Sequence, residues 1–357
     1  MDAHLRRVLV VTPLGPGGAG GIDRMMDALR PRAAEFAREG FAASYYASRG
    51  AGSLAAAPFY LAATLGRVAM GRPDLAHINL SSHGSALRKL AISATARRVG
   101  LPYVLHLHGS RFANFYDAAS PILRDAIAGM FEGAARVVVL GQAWRDWVAE
   151  RAPAARLDIL PNAVAAPLGL AARPAGATVH ILFLGRIGPR KGVDELLRAL
   201  AMLPPGVWRA TLAGDGDVSG ARNLVARLGL EGRATIPGWV DPDGISALLA
   251  DCDIVALPSH QENLPLSLIE GMAYGRAVIG TPVGAVADIV RPGETGLLVP
   301  PGDAAVLAAA LKALIEDADL RARLGEGALR LHRERLDLDG YVGRLAAIWR
   351  SALEGRR

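Results

Sequence analysis

Short apolar runs alternate with amphipathic stretches along the whole chain. The runs at 8–11, 76–78, 103–106 and 136–140 form one block, and those at 180–184, 210–213, 234–236, 254–257 and 278–280 form a second. Unbroken apolar runs of this length, set between helical patterns, predict parallel strands buried on both faces. In the second block the helical pattern covers 193–202, 220–228, 245–251, 266–274 and 304–315, with a last helix near 338–352. Between the blocks, residues 162–178 are rich in Ala, Pro and Gly and lose all periodicity, as a linker does. The pattern predicts an α/β chain of two doubly wound lobes. The first spans 1–165, a linker 166–178, the second lobe 179–335, and a C-terminal helix 336–357 is free to cross back to the first lobe. Ligand is expected in a cleft faced by both lobes, outside the carboxyl ends of the strands.

Composition supports two folded domains. At 357 residues, 51% hydrophobic and 21% charged, the chain is far from the disordered class. The longest apolar stretch, 54–70, is broken by Pro58, Thr64, Gly66 and Arg67, so it falls short of the roughly 18–20 residues of a membrane span. The amino-terminal apolar run is too short for a signal segment and reads as a first strand. Cys252 is the single cysteine, which excludes an internal disulfide and suits a reducing, cytoplasmic setting. The net charge of +6 favours anionic partners. Arg88, Lys89, Arg97 and Arg98 fall on one predicted helix and are expected on a solvated basic face, or on one turned to anionic lipid at the inner membrane surface. No nucleic-acid motif accompanies them, so nucleic acid is not an expected partner.

Residues 15–20, Gly-Pro-Gly-Gly-Ala-Gly, fit G-x-G-x-x-G between a strand and a helix. Gly18, Gly20 and Gly21 are therefore candidates for close approach to a phosphate, although a tight turn alone also uses glycine. A nicotinamide-binding oxidoreductase would need an acidic residue about 20 positions on, to hold the ribose. Residues 41–49 read Phe-Ala-Ala-Ser-Tyr-Tyr-Ala-Ser-Arg, without Asp or Glu, which argues against that class.

Glu262 and Glu270 stand eight apart, one in a loop after a strand and the other more than a turn into a helix entered through Pro265. Leu266, Ile269 and Met272 are expected to point inward, with Glu270 on the face towards the crevice. Each carboxylate can accept from a pair of vicinal hydroxyls. The backbone of Asn263, Leu264 and Leu266 at the helix start suits a diphosphate. Beyond the two glutamates, the chain continues with Gly275-Arg276-Ala277-Val278-Ile279-Gly280, then Gly284, Glu294, Gly296, Leu297-Leu298-Val299 and Pro301-Gly302-Asp303. This string resembles the family 4 retaining glycosyltransferases with their E-x7-E motif. The resemblance implies the GT-B fold of two Rossmann-like lobes, with Glu262 on hydroxyls of a donor sugar and Glu270 on the ribose of its nucleotide.

A strand ending in Gly185 is followed by Arg186 and, five residues on, Lys191. Fixed cations there would stabilise a departing nucleoside diphosphate, and the family's G-R-x4-K-G pattern implies that leaving-group role for the pair; Arg190 is expected at the surface. Gly214 and Asp215 resemble the next family loop, bordering the nucleotide. Asp215/Asp217 and Asp251/Asp253 each spell D-x-D, but the second pair sits where a helix cap is natural. The resemblance implies neither a metal nor another cofactor, because GT-B enzymes carry Arg and Lys where another glycosyltransferase fold holds a cation.

His106-Leu-His108-Gly109 ends a strand, and His108 lies at its mouth. The resemblance implies that His108 reaches the donor sugar, while His106 is structural. Asn162 follows the family's P-N-G hinge signature except that Ala163 replaces Gly. The implied reaction moves a sugar from a UDP- or GDP-sugar to a glycan or polyprenyl-linked acceptor on the same face from which the nucleotide leaves. The first lobe resembles bacterial polysaccharide-assembly members more loosely. Two other classes share these features: a nucleotide-sugar epimerase, which turns over donor alone, and a non-catalytic sugar-nucleotide-binding protein, which transfers nothing.

Overall fold

The computed structural model describes residues 5–17, 20–50, 54–167, 169 and 178–355. Gly18 and most of the expected linker lie outside the described residues. Two compact units result, 1–162 with 338–357, and 163–337.

In the first unit six parallel strands form one sheet: β1 (Arg6–Thr12), β2 (Phe41–Ala47), β3 (Leu75–Leu80), β4 (Tyr103–Leu107), β5 (Arg136–Val139) and β6 (Leu157–Ile159), in the order β2-β1-β3-β4-β5-β6. The chain builds outward from β1 to β2, then turns to the other side with β3, so the switch point lies between β1 and β3. Strand β6 escapes the sequence pattern because it is a three-residue edge, half-buried throughout. Arg136 forks Asp158 at 2.6 and 2.5 Å and fastens β6 to β5. The C-terminal helix Leu338–Glu354 belongs to this unit. It buries Trp349, which stacks on Phe36 at 5.0 Å and meets Phe41 edge-on at 5.4 Å.

The second unit holds β7 (Val179–Leu184), β8 (Trp208–Ala213), β9 (Ala234–Gly238), β10 (Ile254–Leu257), β11 (Ala277–Gly280) and β12 (Gly296–Leu298), all parallel in the order β12-β11-β10-β7-β8-β9. Here β7 and β10 are neighbours, and the direction of strand addition reverses between them. Their residues Leu182, Phe183, Val255 and Ala256 are fully buried, as strands covered on both faces require. The helix Ala318–Leu331 is not predicted by periodicity because glycines break its apolar stripe. They are there for packing: a Cβ at Gly325 would lie 2.2 Å from the Gly275 carbonyl oxygen, and one at Gly327 1.9 Å from that of Glu294.

Two surface expectations are corrected. Lys89 is fully buried and Arg88 half-buried, so the four basic residues of the helix Gly84–Arg98 do not share a solvated or lipid-facing side. Asp251 does not cap a helix start. It ends the helix Pro242–Asp251, pairs with Arg209 and lies 2.9 Å from His180 Nδ1, while Asp253 accepts the backbone N–H of His180 at 2.7 Å. Both aspartates thus fix the amino end of β7, away from the carboxyl edge. Among the described residues no three His, Cys, Asp or Glu side chains converge as a metal site, and no helix is long and apolar enough to cross a membrane.

Candidate active site

The carboxyl ends of β7 and β10 carry the loops 185–192 and 258–265, and these loops are stitched together. Gly192, at φ 70°, brings its α-carbon so close that a Cβ would lie 2.0 Å from the Pro258 carbonyl oxygen. The His260 N–H donates to the Arg190 carbonyl at 3.0 Å, and Arg190 Nη1 donates to the Gln261 carbonyl at 2.9 Å. Arg190 is therefore half-buried loop structure, not the surface residue its sequence position suggests. We expect Gly192→Ala to cost at least about 2 kcal/mol, since it adds both a clash and a left-handed alanine. Loss of less than 1 kcal/mol in urea unfolding of this variant, where about 2 is expected, would contradict that packing.

Glu262 comes from the β10 loop and Lys191 from the β7 loop, and the two form an ion pair with only 9% and 13% of their side chains exposed. The same oxygen, Oε1, accepts from Ser259 Oγ at 3.0 Å and lies 3.8 Å from Arg190 Nη1. Thr281 donates to the Ser259 carbonyl at 2.5 Å, and the Ala285 N–H donates to the Asn263 carbonyl at 2.7 Å. Gly284, at φ 59°, lets this backbone close: a Cβ there would lie 2.4 Å from the Glu262 carbonyl oxygen. The carboxylate is thus fixed from below by the β11 loop. Sequence reasoning did not single out Ser259 or Thr281; their place one turn from Glu262 and just past β11 was the available signal.

Arg186 is 68% exposed and meets Asp215 at 3.3 Å. Their loops are joined by backbone, Ile187 N–H to the Asp215 carbonyl at 2.6 Å and Asp217 N–H to the Ile187 carbonyl at 3.1 Å. Gly214 permits this contact, because a Cβ would stand 1.8 Å from the Gly185 carbonyl oxygen. Asp217 caps the helix Val218–Arg227 through the Gly220 N–H at 2.9 Å. Asn263 and Leu264 are buried in the β10 loop. Pro265 is the cap and not a first-turn residue of the helix Leu266–Ala273, whose start has no side-chain cap. Leu266 is half-buried, while Leu268, Ile269 and Met272 fill the core beneath it. Glu270 is half-buried about 6 Å along this helix from its start. The geometry brings Gly185, Arg186, Lys191, Gly214, Asp215 and Glu262 onto three adjoining loops.

In the first unit Asn79 orients His108. Asn79 Nδ2 donates to the Val11 carbonyl at 3.1 Å, so its Oδ1 must accept, and it faces His108 Nε2 at 2.9 Å. His108 therefore carries its proton on Nε2 and leaves Nδ1 as an acceptor. Burial first, then His77, lowers its pKa to about 3, so the ring is neutral at physiological pH. Behind it runs a chain that the sequence does not disclose: Trp349 Nε1 donates to His77 Nδ1 at 3.1 Å, and His77 Nε2 faces His106 Nδ1 at 3.3 Å. Both inner histidines are fully buried.

The loop after β1 is tied back to the helix that follows it. The N–H groups of Leu14 and Gly15 both donate to Asp23 Oδ1 at 3.1 Å, and that of Gly17 donates to Asp27 Oδ2 at 2.9 Å. Carboxylates of the helix Gly21–Leu29 thus hold the N–H groups of Leu14, Gly15 and Gly17, none of which is among the candidate phosphate donors. Gly20 and Gly21 remain at the start of that helix, without a side-chain cap.

Two doubly wound units, one with a cation–carboxylate pair at its strand-order switch, define a two-lobed Rossmann-like class. Residues 174–330 match the glycosyl transferases group 1 family, and residues 1–163 match the glycosyl transferase 4-like domain. The chain is a GT-B-fold glycosyltransferase related to these families. It is 28% identical over 302 residues to alpha-D-kanosaminyltransferase of Streptomyces kanamyceticus, covering 77% of each chain. It is 35% identical over 235 residues to D-inositol 3-phosphate glycosyltransferase of Nocardia farcinica, covering 58% of this chain and 51% of that one. The chain thus spans about half the length of that relative. Among solved structures, Anabaena HepE in complex with UDP and glucose superposes with a TM-score of 0.76 at 20% identity, covering 97% and 100% of the two chains. Sucrose-phosphate synthase of Thermosynechococcus elongatus gives 0.79 at 20%, covering 98% and 100%.

Proposed function

We propose that this protein transfers a sugar from a UDP- or GDP-sugar to a glycan or polyprenyl-linked acceptor with retention, in the assembly of a cell-surface polysaccharide. The observation that carries the reading is the buried Lys191–Glu262 pair at the β7/β10 switch, joined through its loops to Arg186 and Asp215. On donor binding, Lys191 and Arg186 turn from their carboxylate partners to the diphosphate and stabilise it as it leaves. Glu262 is then available to sugar hydroxyls, Glu270 to the ribose, and His108 Nδ1 accepts from a further hydroxyl. Glu262 is held by cations and a serine and is no free nucleophile of the glycosidase type. The departing phosphate is left to assist deprotonation of the acceptor on the same face. Metal is not required where Arg186 and Lys191 supply the charge.

UDP is the base to try first, because HepE, of the same fold, is described with UDP. Thermal stabilisation by UDP-, GDP- and ADP-sugars, followed by transfer assays, tests the reading. Turnover of donor alone to an epimer, without transfer, would assign the epimerase class instead. Donor binding without any turnover would leave only a binding protein.

Arg186 offers a clean variant, since its pair with Asp215 is solvent-exposed and contributes little to stability. Arg186→Gln should leave unfolding within about 0.5 kcal/mol of wild type. It should lower kcat/KM for transfer by roughly ten- to a hundredfold, through loss of one charge-assisted contact to the leaving group. Unchanged kinetics would remove Arg186 from the site. The net charge of +6 still favours an anionic surface, so peripheral attachment to a membrane belongs to the same proposal, and salt-dependent partitioning onto anionic vesicles tests it.

A further inference from the structure

A cluster of cations in the first unit has no part in the donor chemistry. Ser48 and Arg49 follow β2 directly, and Ser85, Arg88 and Lys89 lie on one face of the helix Gly84–Arg98 at positions i, i+3 and i+4. Lys89 is fully buried, and its ammonium donates to Ser48 Oγ. Ser48 Oγ in turn donates to the Thr12 carbonyl at 3.0 Å. An ammonium has three donors, and among the described residues that hydroxyl is the one hydrogen-bond partner of Lys89.

Around it, Arg49 Nε, Arg88 Nε and Ser85 Oγ are buried without a partner among the described residues. Lys89 bonds Ser48, whose neighbour in the chain is Arg49, and Arg88 adjoins Lys89 on the helix, so the three cations gather at one place. Asp23 is the opposing carboxylate felt by Lys89, but its Oδ1 already accepts two backbone N–H groups of the glycine loop. Burying like charges with unmet donors is unfavourable, and a fold retains such an arrangement when an anion completes it.

The place and the chemistry agree. The cluster stands at the carboxyl ends of β1 and β2, beside the switch between β1 and β3, where open sheets take ligands. Two guanidinium groups, an ammonium oriented by Ser48 and the Ser85 hydroxyl offer donors in several directions, which suits a tetrahedral phosphoryl group. Burial, with Arg88 second and Asp23 opposing, lowers the Lys89 pKa to about 7, and an arriving phosphate would hold the ammonium fully charged.

We propose that Arg49, Arg88 and Lys89, with Ser48 and Ser85, form a second anion site that takes a phosphoryl group carried by the acceptor. The acceptor role rests on the transferase reading above; the anion site itself does not. Inorganic phosphate, compared with chloride at equal ionic strength, serves as the first probe in thermal unfolding. Phosphate should stabilise wild type and the Arg186→Gln/Lys191→Met variant, and should fail to stabilise Arg49→Gln/Arg88→Gln. Stabilisation that persists in Arg49→Gln/Arg88→Gln, or that disappears only in Arg186→Gln/Lys191→Met, overturns the site. If Arg49→Gln/Arg88→Gln does not fold, Lys89→Met provides the same comparison, because methionine keeps the buried stem and removes the charge.

Kinetics then separate the sources of the phosphoryl group. A polyprenyl-diphosphate-linked sugar in detergent micelles and a soluble sugar phosphate are offered as acceptors. With whichever is used, KM for the acceptor should rise roughly ten- to a hundredfold in Arg49→Gln/Arg88→Gln, while donor hydrolysis is unchanged and Arg49→Lys/Arg88→Lys restores part of the loss. Preferred transfer to an uncharged acceptor, with the same KM in all variants, overturns the acceptor role. Absence of donor turnover in wild type would instead sink the transferase reading and leave the phosphate comparison standing.

Discussion

Lys191→Met should lower transfer by about two to three orders of magnitude, the effect of removing a preorganised charge from a developing anion. It should also destabilise the second unit, and the two consequences have separate causes. With Lys191 gone, the Glu262 carboxylate remains 9% exposed, held by Ser259 Oγ at 3.0 Å and by Arg190 only at 3.8 Å. Breaking one side of a buried pair costs about 3–5 kcal/mol when nothing replaces it, and Arg190 will moderate that figure. Lys191→Met/Glu262→Gln removes both charges and leaves Ser259 a neutral acceptor, so most of the lost stability should return. Activity should not return, since neither the leaving-group charge nor the hydroxyl acceptor is restored. Urea unfolding and transfer kinetics on the two single variants and the double one check this cycle. Transfer by Lys191→Met within tenfold of wild type would exclude it as the leaving-group cation. Recovery of activity in the double variant would show that the single change had acted through folding alone.

The placing of Arg186, Lys191 and Glu262 on adjoining loops was legible because these residues are close in sequence to the strands that carry them. A buried strand ending in Leu184 or Leu257 sets the loop that follows at the carboxyl edge, so Arg186, Lys191 and Glu262 could be located from periodicity and spacing. After β1, glycine spacing says what backbone the loop can adopt, not which acceptor meets the N–H groups of Leu14, Gly15 and Gly17. The answer lay in Asp23 and Asp27, four apart on the following helix and therefore on one face, turned back towards the loop. Lys89 was not legible: Ala86, Lys89, Ile92, Ser93 and Ala96 form the buried stripe of their helix, but two of them are polar and Leu87 lies exposed, so no apolar period places the lysine inside. The contact between His77 and Trp349 joins positions 272 apart, and no local pattern encodes it. The same holds for Thr281 beneath Ser259, which depends on the pairing of β10 with β11.

Acidification from pH 6.5 towards 4 should unfold the first unit before carboxylate titration is complete. His77 is fully buried, and desolvation, partly offset by Asn79, lowers its pKa from 6.5 to about 4. Burial likewise holds His106 well below its ordinary value and His108 at about 3, with neighbouring histidines adding to the effect. All three are neutral in the folded unit, whereas the unfolded chain protonates them near 6.5. Between the folded and unfolded values the unfolded state binds more protons, so stability falls as pH falls. The loss begins at about 6.5 and is complete below the folded values. His77 alone contributes about 3 kcal/mol over that window, and His106 and His108 act in the same direction. A loss of that size approaches the whole stability of an ordinary domain. Asp23 works in the opposite sense, because burial raises its pKa and protonation then favours the folded state. Calorimetric unfolding between pH 7.5 and 4.5 should show the first-unit transition moving steadily down. His77→Gln should flatten that slope, since glutamine can still accept from Trp349 and donate to His106 without taking up a proton. A transition temperature that stays level from pH 7 to 5 would mean that the three rings are not held neutral in the fold, and the assignment of His108 Nδ1 as an acceptor would fail with it.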